Sequence, residues 1–344
     1  MTRKILSIFA APALVCALLL YGCGPARTAK TDAPVEVKPP IAQAPVEAPP
    51  VAPPPVEPPP VEPPPPPKWD TLADVKAKGV LVVGVRDTAP PFGSINPRTN
   101  YADLARSIAN RLGLTVDFKT PTDGNREGYD IDFAHYIANR LGVKVEFKTV
   151  TAGNRLSMLE DGRVDIIAAA MIKTPERAQR IDFSYTYFST GQKFLAPKGM
   201  LKTNKDLEKM KVGTARGSNA ERSFAAAFPT ANITLFDDYP KAIEALLQKK
   251  IHAVTADETI LAGQLCLLEK KFSTKGKFEI PDLRVSTELY GLGIRKNDEA
   301  FLNFVNEILL RMERTGEALR IFEHWFGPNS ECPIKRGVFR IVKD

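Results

Sequence analysis

The tetrapeptide Thr174-Pro175-Glu176-Arg177 places a guanidinium at the opening of a helix. Threonine is a good N-cap and proline a good first helical residue, and the strand candidate 164–170 lies just upstream. An arginine there can fork onto a carboxylate while neighbouring backbone N–H groups assist. The plainer reading is a surface arginine on a capped helix. Asp257 follows a second strand candidate, 251–255, and a carboxylate so placed can hold an ammonium group. Beside Glu258 it can equally cap the helix 259–268. Ser218 and Asn219 open the helix containing Phe224, where capping is again the simpler role. Other chemistry has less to stand on. His135, His252 and His324 show no metal-ligand spacing, and neither a Gly-x-Ser-x-Gly elbow nor a phosphate loop occurs, so no metal and no cofactor is expected.

These residues need strands that end near one another. The chain supplies β-rich runs at 80–85, 143–148, 164–170, 191–196, 211–214, 233–236, 252–255 and 290–294. Helical patterns lie between them, at 131–141 and 240–248 for example, and the last helices span 298–314 and 316–325. In the first of these last helices Phe301, Phe304, Val305, Ile308 and Met312 form one stripe. Such alternation predicts an α/β fold with largely parallel sheets, whose ligand sites lie beyond the carboxyl ends of the strands. Residues 103–126 and 132–155 align without gaps, sharing Ile-Ala-Asn-Arg-Leu-Gly, Phe-Lys-Thr and Gly-Asn-Arg. Two copies are too few for a solenoid, so a tandem duplication of one helix and one strand is the simpler account.

The N-terminal part is of another kind. Arg3 and Lys4 precede an uncharged apolar run, 5–20, which reads as a secretory signal over residues 1–22; an uncleaved membrane helix is the alternative. Leu20-Tyr21-Gly22-Cys23 resembles a bacterial lipobox, in which Cys23 becomes the acylated N-terminus. More than half of the 30 prolines lie between Pro34 and Pro67, within the segment 23–68, in repeats of Pro-Val-Glu-Pro. That composition favours polyproline II and forms a stalk of about 100 Å when fully extended. Cys266 and Cys332 are the cysteines left to the body, and two thiols in an oxidising compartment suggest one disulfide; two buried free thiols are the alternative. The net charge of +7 is modest and its basic residues are scattered without aromatic interleaving, which argues against nucleic-acid binding.

From Trp69 to Pro328 the chain resembles the bacterial extracellular solute-binding proteins that serve polar amino-acid ABC transporters. The resemblance is carried by an ordered set of short motifs. They include Pro-Pro-Phe-Gly ending at Gly93, Gly128-Tyr129-Asp130-Ile131-Asp132, Gly153-Asn154-Arg155, Gly162-Arg163-Val164-Asp165 and Thr174-Pro175-Glu176-Arg177. Ile181-Asp182-Phe183-Ser184, Gly217-Ser218, Ala256-Asp257-Glu258, Tyr290-Gly291 and Trp325-Phe326-Gly327 follow. The resemblance implies a two-lobed, type II periplasmic-binding-protein fold with a ligand cleft. Lobe one would hold 69–195 and 287–328, lobe two 196–286, and 329–344 would be a tail.

It further implies that Arg177 grips an α-carboxylate and Asp257 an α-ammonium group. Thr174, Ser218, Asn219 and the backbone at Ala170 and Ile172 would line the site, although Ala170 lacks the hydroxyl or glycine common at its place. Arg86 and Arg155 match arginines of members selective for acidic ligands. Three arginines against Asp257 alone leave an excess of two positive charges, so an acidic amino acid is favoured and a neutral polar one comes next. Arg126, the first-copy counterpart of Arg155, could compete for the site. The expected protein is a lipid-anchored, periplasmic or extracytoplasmic monomer that performs no chemistry and hands its amino acid to a permease. A cyclohexadienyl or arogenate dehydratase on the same fold, or a ligand-sensing ectodomain, are the alternatives.

Cys23→Ser should release the protein from membranes or leave its signal uncleaved, as read by fractionation and by the mass of the mature N-terminus. An unchanged distribution and mass would remove the lipid anchor.

Overall fold

The computed structural model describes residues 69–95, 125–272, 274–330, 333–334 and 340–343. The leader, Cys23, the proline-rich stretch, nearly all of the first repeat copy and Cys332 lie outside these residues. Cys266 is disulfide-bonded.

The first lobe begins with α1 (Thr71–Lys78), β1 (Val80–Val85), β2 (Thr88–Ala89), β3 (Gly93–Ile95) and β4 (Arg126–Glu127). It continues through α2 (Tyr129–Leu141), β5 (Lys144–Thr149), α3 (Arg155–Glu160), β6 (Ile166–Ala168), α4 (Pro175–Arg180) and β7 (Ile181–Phe183). β8 (Phe188–Thr190) leads out to β9 (Gln192–Pro197), α5 (Asn204–Leu207), β10 (Lys211–Ala215) and α6 (Asn219–Ala227). The second lobe is completed by β11 (Asn232–Phe236), α7 (Tyr239–Leu247), β12 (Ala253–Asp257), α8 (Glu258–Phe272) and β13 (Phe278–Glu279). β14 (Glu288–Tyr290) leads back to β15 (Gly293–Arg295), α9 (Glu299–Arg314) and α10 (Glu317–Phe326).

Two five-stranded sheets result, ordered β5-β1-β6-β15-β7 and β11-β10-β12-β9-β13. β1 runs parallel to β5 and β6, and β10 to β11 and β12. The apolar run of β1 is what a parallel strand covered on both faces requires, and β12 is buried at every residue. In each lobe an antiparallel strand arrives by a crossing: β9 beside β12, and β15 between β6 and β7. Since β9 belongs wholly to the second sheet, residues 192–195 join lobe two and not lobe one. The run 290–294 is likewise not one strand. Tyr290 ends β14, which pairs with β8, whereas Gly293 opens β15 in the first sheet. Between them Gly291 donates to the Met171 carbonyl at 3.0 Å and Leu292 to Ser184 Oγ at 2.9 Å, which carries the chain from one ladder to the next.

The two crossings lie side by side, with Thr190 opposite Glu288 and Phe188 opposite Tyr290. A Cβ at Gly191 would sit 2.4 Å from the Ser286 carbonyl oxygen, so a larger residue would force the crossings apart. The lobes are closed on each other. Gln264 Nε2 of α8 donates to the Thr88 carbonyl at 3.0 Å. A Cβ at Gly263 would lie 2.1 Å from the Pro90 carbonyl oxygen, and one at Gly217 would lie 2.7 Å from Gly153 Cα.

Phe92 ties the first lobe to its hinge. Its buried ring lies edge-on to Phe188 at 4.9 Å and packs on Tyr290 at 5.3 Å, Phe326 at 5.5 Å and Tyr129 at 6.0 Å. One side chain thereby joins the segment after β1 to α2, both crossing strands and α10. Phe92→Ala should lower the unfolding free energy by about 3–5 kcal/mol in urea titrations. A loss within about 0.5 kcal/mol, the usual scale of a surface change, would show that the ring bears no such weight.

Candidate functional site

Arg177 lies in the first turn of α4. Thr174 caps this helix, its Oγ1 accepting from the Arg177 N–H at 3.3 Å, and Pro175 follows as the sequence predicts. The side chain turns inward, 3% exposed, and Nη1 donates to the Ile172 carbonyl at 2.8 Å. Nη2 reaches the Gly217 carbonyl of the other lobe at 3.5 Å, a distance at which little hydrogen-bond energy remains. Burial, then the neighbouring Arg222, pushes its pKa down to about 10, so it stays cationic at neutral pH.

Asp257 ends β12 and is 4% exposed. Tyr290 Oη donates to its carboxylate from β14. Burial, followed by the adjacent Glu288, pushes Asp257 well above the ordinary carboxylate range. Glu288 is 3% exposed and was not among the residues expected here. It accepts from Asn219 Nδ2 at 2.8 Å and from Ser286 Oγ at 2.9 Å, while its Oε2 is buried without a hydrogen-bond partner. Asn219 therefore enters the site through Glu288. Ser218 acts as N-cap of α6, accepting from the Glu221 N–H at 3.2 Å, and Glu221 in turn accepts from the Gly217 N–H at 2.6 Å.

Arg155 opens α3 and is 3% exposed. Its Nη1 donates to the Ala169 carbonyl at 2.7 Å and lies 3.4 Å from that of Ala170. Its Nε is buried without a partner. Burial, then Arg177 and Arg86, pushes its pKa down to about 9. Ala170 has φ +46°, a left-handed conformation unusual for alanine, which ends the strand at Ala168, short of the expected residue 170. Its N–H donates to Asp130 Oδ2 at 2.7 Å, and Tyr187 Oη donates to Oδ1 at 2.7 Å. Burial pushes Asp130 up to about 7 against these hydrogen bonds. Both polar groups of Ala170 are thus engaged by the protein, by Asp130 and by Arg155.

Arg86, directly after β1, is also 3% exposed. Across the cleft its Nη2 donates to Asp238 Oδ1, and Thr88 Oγ1 donates to Oδ2 of the same carboxylate. The guanidinium lies over the Tyr239 ring, 4.7 Å from its centroid, and its Nε is buried without a partner. Arg126 does not compete with Arg155. It forks onto Asp87 at 2.7 and 3.1 Å and donates to Thr149 Oγ1 at 2.9 Å.

Three arginines therefore share one closed cleft with Asp257, Glu288 and Asp238. Asp238 and Glu288 reduce the expected excess of two positive charges. Each has a local place in its strand or loop. Asp238 stands just beyond β11, as Asp257 stands at the end of β12. Glu288 and Tyr290 share the inner face of β14, while Leu289 between them is 42% exposed. Among the described residues no group of three or more His, Cys, Asp or Glu side chains could hold a metal ion.

Comparison with known proteins identifies the family. The family model of bacterial extracellular solute-binding proteins, family 3, matches residues 118–328. The ABC transporter glutamine-binding protein GlnH of Bacillus subtilis (strain 168) is 31% identical over 268 residues, covering 75% of this chain and 85% of that protein. The probable histidine-binding protein of Neisseria gonorrhoeae is 32% identical over 247 residues, covering 70% and 87%. Among solved structures, the ancestral amino acid-binding protein AncCDT-1, a precursor of cyclohexadienyl dehydratase, matches with a TM-score of 0.61 at 27% identity, over 74% of this chain and 98% of that one. With the two-lobed fold and the cleft between its lobes, these matches show that the chain belongs to the bacterial extracellular solute-binding proteins of family 3.

Proposed function

We propose that this chain is an extracytoplasmic receptor that closes on one free amino acid and delivers it to an ABC transporter permease. The observation that carries the reading is a pair of buried, opposite charges in the cleft: Arg177 on one side, Asp257 with Glu288 on the other. An α-carboxylate needs a forked donor, and an α-ammonium group needs acceptors. Arg177 supplies the first and the two acids the second, each at a place that lobe closure removes from water. The relatives named are a glutamine-binding protein and a probable histidine-binding protein, and those two amino acids share the α-groups and differ beyond them. Cys23 and the proline-rich stalk would hold a monomeric receptor near its permease, with Cys266 and Cys332 as the disulfide pair in the body.

Arg177→Ala and Asp257→Ala should each abolish amino-acid binding in calorimetry, with folding checked by circular dichroism. Retained affinity in either variant would remove that residue from the α-group contacts. In solution scattering, a bound amino acid should reduce the radius of gyration, the closure expected of hinged lobes. An identical profile at saturation would rule out a closing cleft.

Asp257 adds a pH dependence whose sign is fixed. Burial raises its pKa in the closed cleft, so without an ammonium group the closed site holds a proton at pH values where an ordinary aspartate has lost it. An ammonium group favours the ionised carboxylate. Binding should therefore release a proton and weaken as pH falls. The measured enthalpy should change with the ionisation enthalpy of the buffer, and no such change would place the ammonium elsewhere.

A dehydratase remains the second reading because AncCDT-1 is a precursor of such an enzyme. Turnover of prephenate or arogenate by the purified body would replace the receptor with that enzyme.

A further inference from the structure

We infer that Asp238 is a specificity residue: it is the protein's own counter-carboxylate for Arg86, delivered by the second lobe on closure, and it excludes ligands with an acidic side chain. The inference rests on the amino-acid receptor reading above and concerns what that receptor accepts beyond the α-groups.

Arg86 belongs to the first lobe, at the end of β1, and Asp238 to the second, as N-cap of α7. Their ion pair therefore forms only when the lobes meet. In the closed arrangement Asp238 is fully committed. Oδ1 accepts from Arg86 Nη2 and from the Tyr239 N–H at 2.8 Å, and Oδ2 accepts from Thr88 Oγ1. Tyr239 covers one face of the guanidinium. Arg86 also acts electrostatically on Arg155, which in turn feels Arg177 and Asp257, so it belongs to the same charged cluster as the α-group contacts.

A buried donor remains, Arg86 Nε, but the positive charge already has its partner. A neutral carbonyl or hydroxyl oxygen can accept from such a donor without adding charge. A side-chain carboxylate on Arg86 would meet Asp238 as the lobes approach, placing two anions in a cleft that excludes water. Rejection of acidic ligands would then occur at closure. A neutral polar amino acid, with an amide as the best fit, is the ligand class that follows. This reverses the order drawn from the arginines alone.

Asp238→Asn provides a clean variant, because asparagine is as good an N-cap as aspartate. It removes the charge and leaves the start of α7 intact. Calorimetry on the mature protein should show wild type binding glutamine more tightly than glutamate. In Asp238→Asn the ratio of glutamate to glutamine affinity should rise at least tenfold. Scattering adds a second readout: saturating glutamate should compact Asp238→Asn but not wild type. In Arg86→Met/Asp238→Asn the gain for glutamate should vanish, since both charges are then gone. A ratio unchanged between wild type and Asp238→Asn, or wild type closing on glutamate as well as on glutamine, would overturn the inference and leave the receptor reading intact. Binding of no amino acid by wild type would overturn both.

Discussion

Three guanidinium groups, each almost removed from water, are the constraint around which the rest of the cleft is arranged. Arginine does not relieve its burial by losing a proton at neutral pH, so each group must be met by acceptors. Arg155 takes main-chain carbonyls, Arg177 takes a carbonyl and faces two acids, and Arg86 takes Asp238. These three solutions draw on different parts of the chain, and together they specify how the lobes close. The turn at Ala170 has to hold its carbonyl toward Arg155, and the ends of β11 and β12 have to bring Asp238 and Asp257 to the cleft.

Support for this arrangement reaches well below the site. Asp130 holds the left-handed turn at Ala170 through its N–H, and Tyr187 holds Asp130. Tyr187 and Tyr129 stack at 6.0 Å, and Phe92 joins Tyr129 to the hinge strands. Tyr290 sits in a hinge strand and also donates to Asp257. The aromatic core and the polar cleft are therefore parts of one structure, in which the hinge residue Tyr290 touches both.

Much of this was legible in the sequence, and the residues that were not have a common reason. Thr174 and Pro175 announced the start of α4, and with it the place of Arg177, because capping is a local rule. Asp257 could be placed because it ends a strand that the sequence marks. Asp238 and Glu288 each have a sufficient local role, as helix cap and as hinge strand residue. Their second role depends on the other lobe, and no local pattern encodes that approach. The split of 290–294 between two sheets was hidden for the same reason, since β14 and β15 pair with strands distant in sequence. Ala170 departs from the ladder because of Asp130, forty residues earlier in the chain. The separate roles of Arg126 and Arg155 depended on Asp87, which the alignment of the two repeat copies could not reveal.

The position of β15 has a consequence for how the chain is made. Within the first sheet β7 has β15 as its partner, and β15 follows the whole of the second lobe. Strand Ile181–Phe183 must therefore wait for Gly293–Arg295 before its ladder can form. Pairings between strands so far apart in sequence form slowly. The second lobe, by contrast, is one uninterrupted stretch whose five strands are all present by Glu279. A nascent chain can thus complete the inserted lobe while the enclosing one is still open.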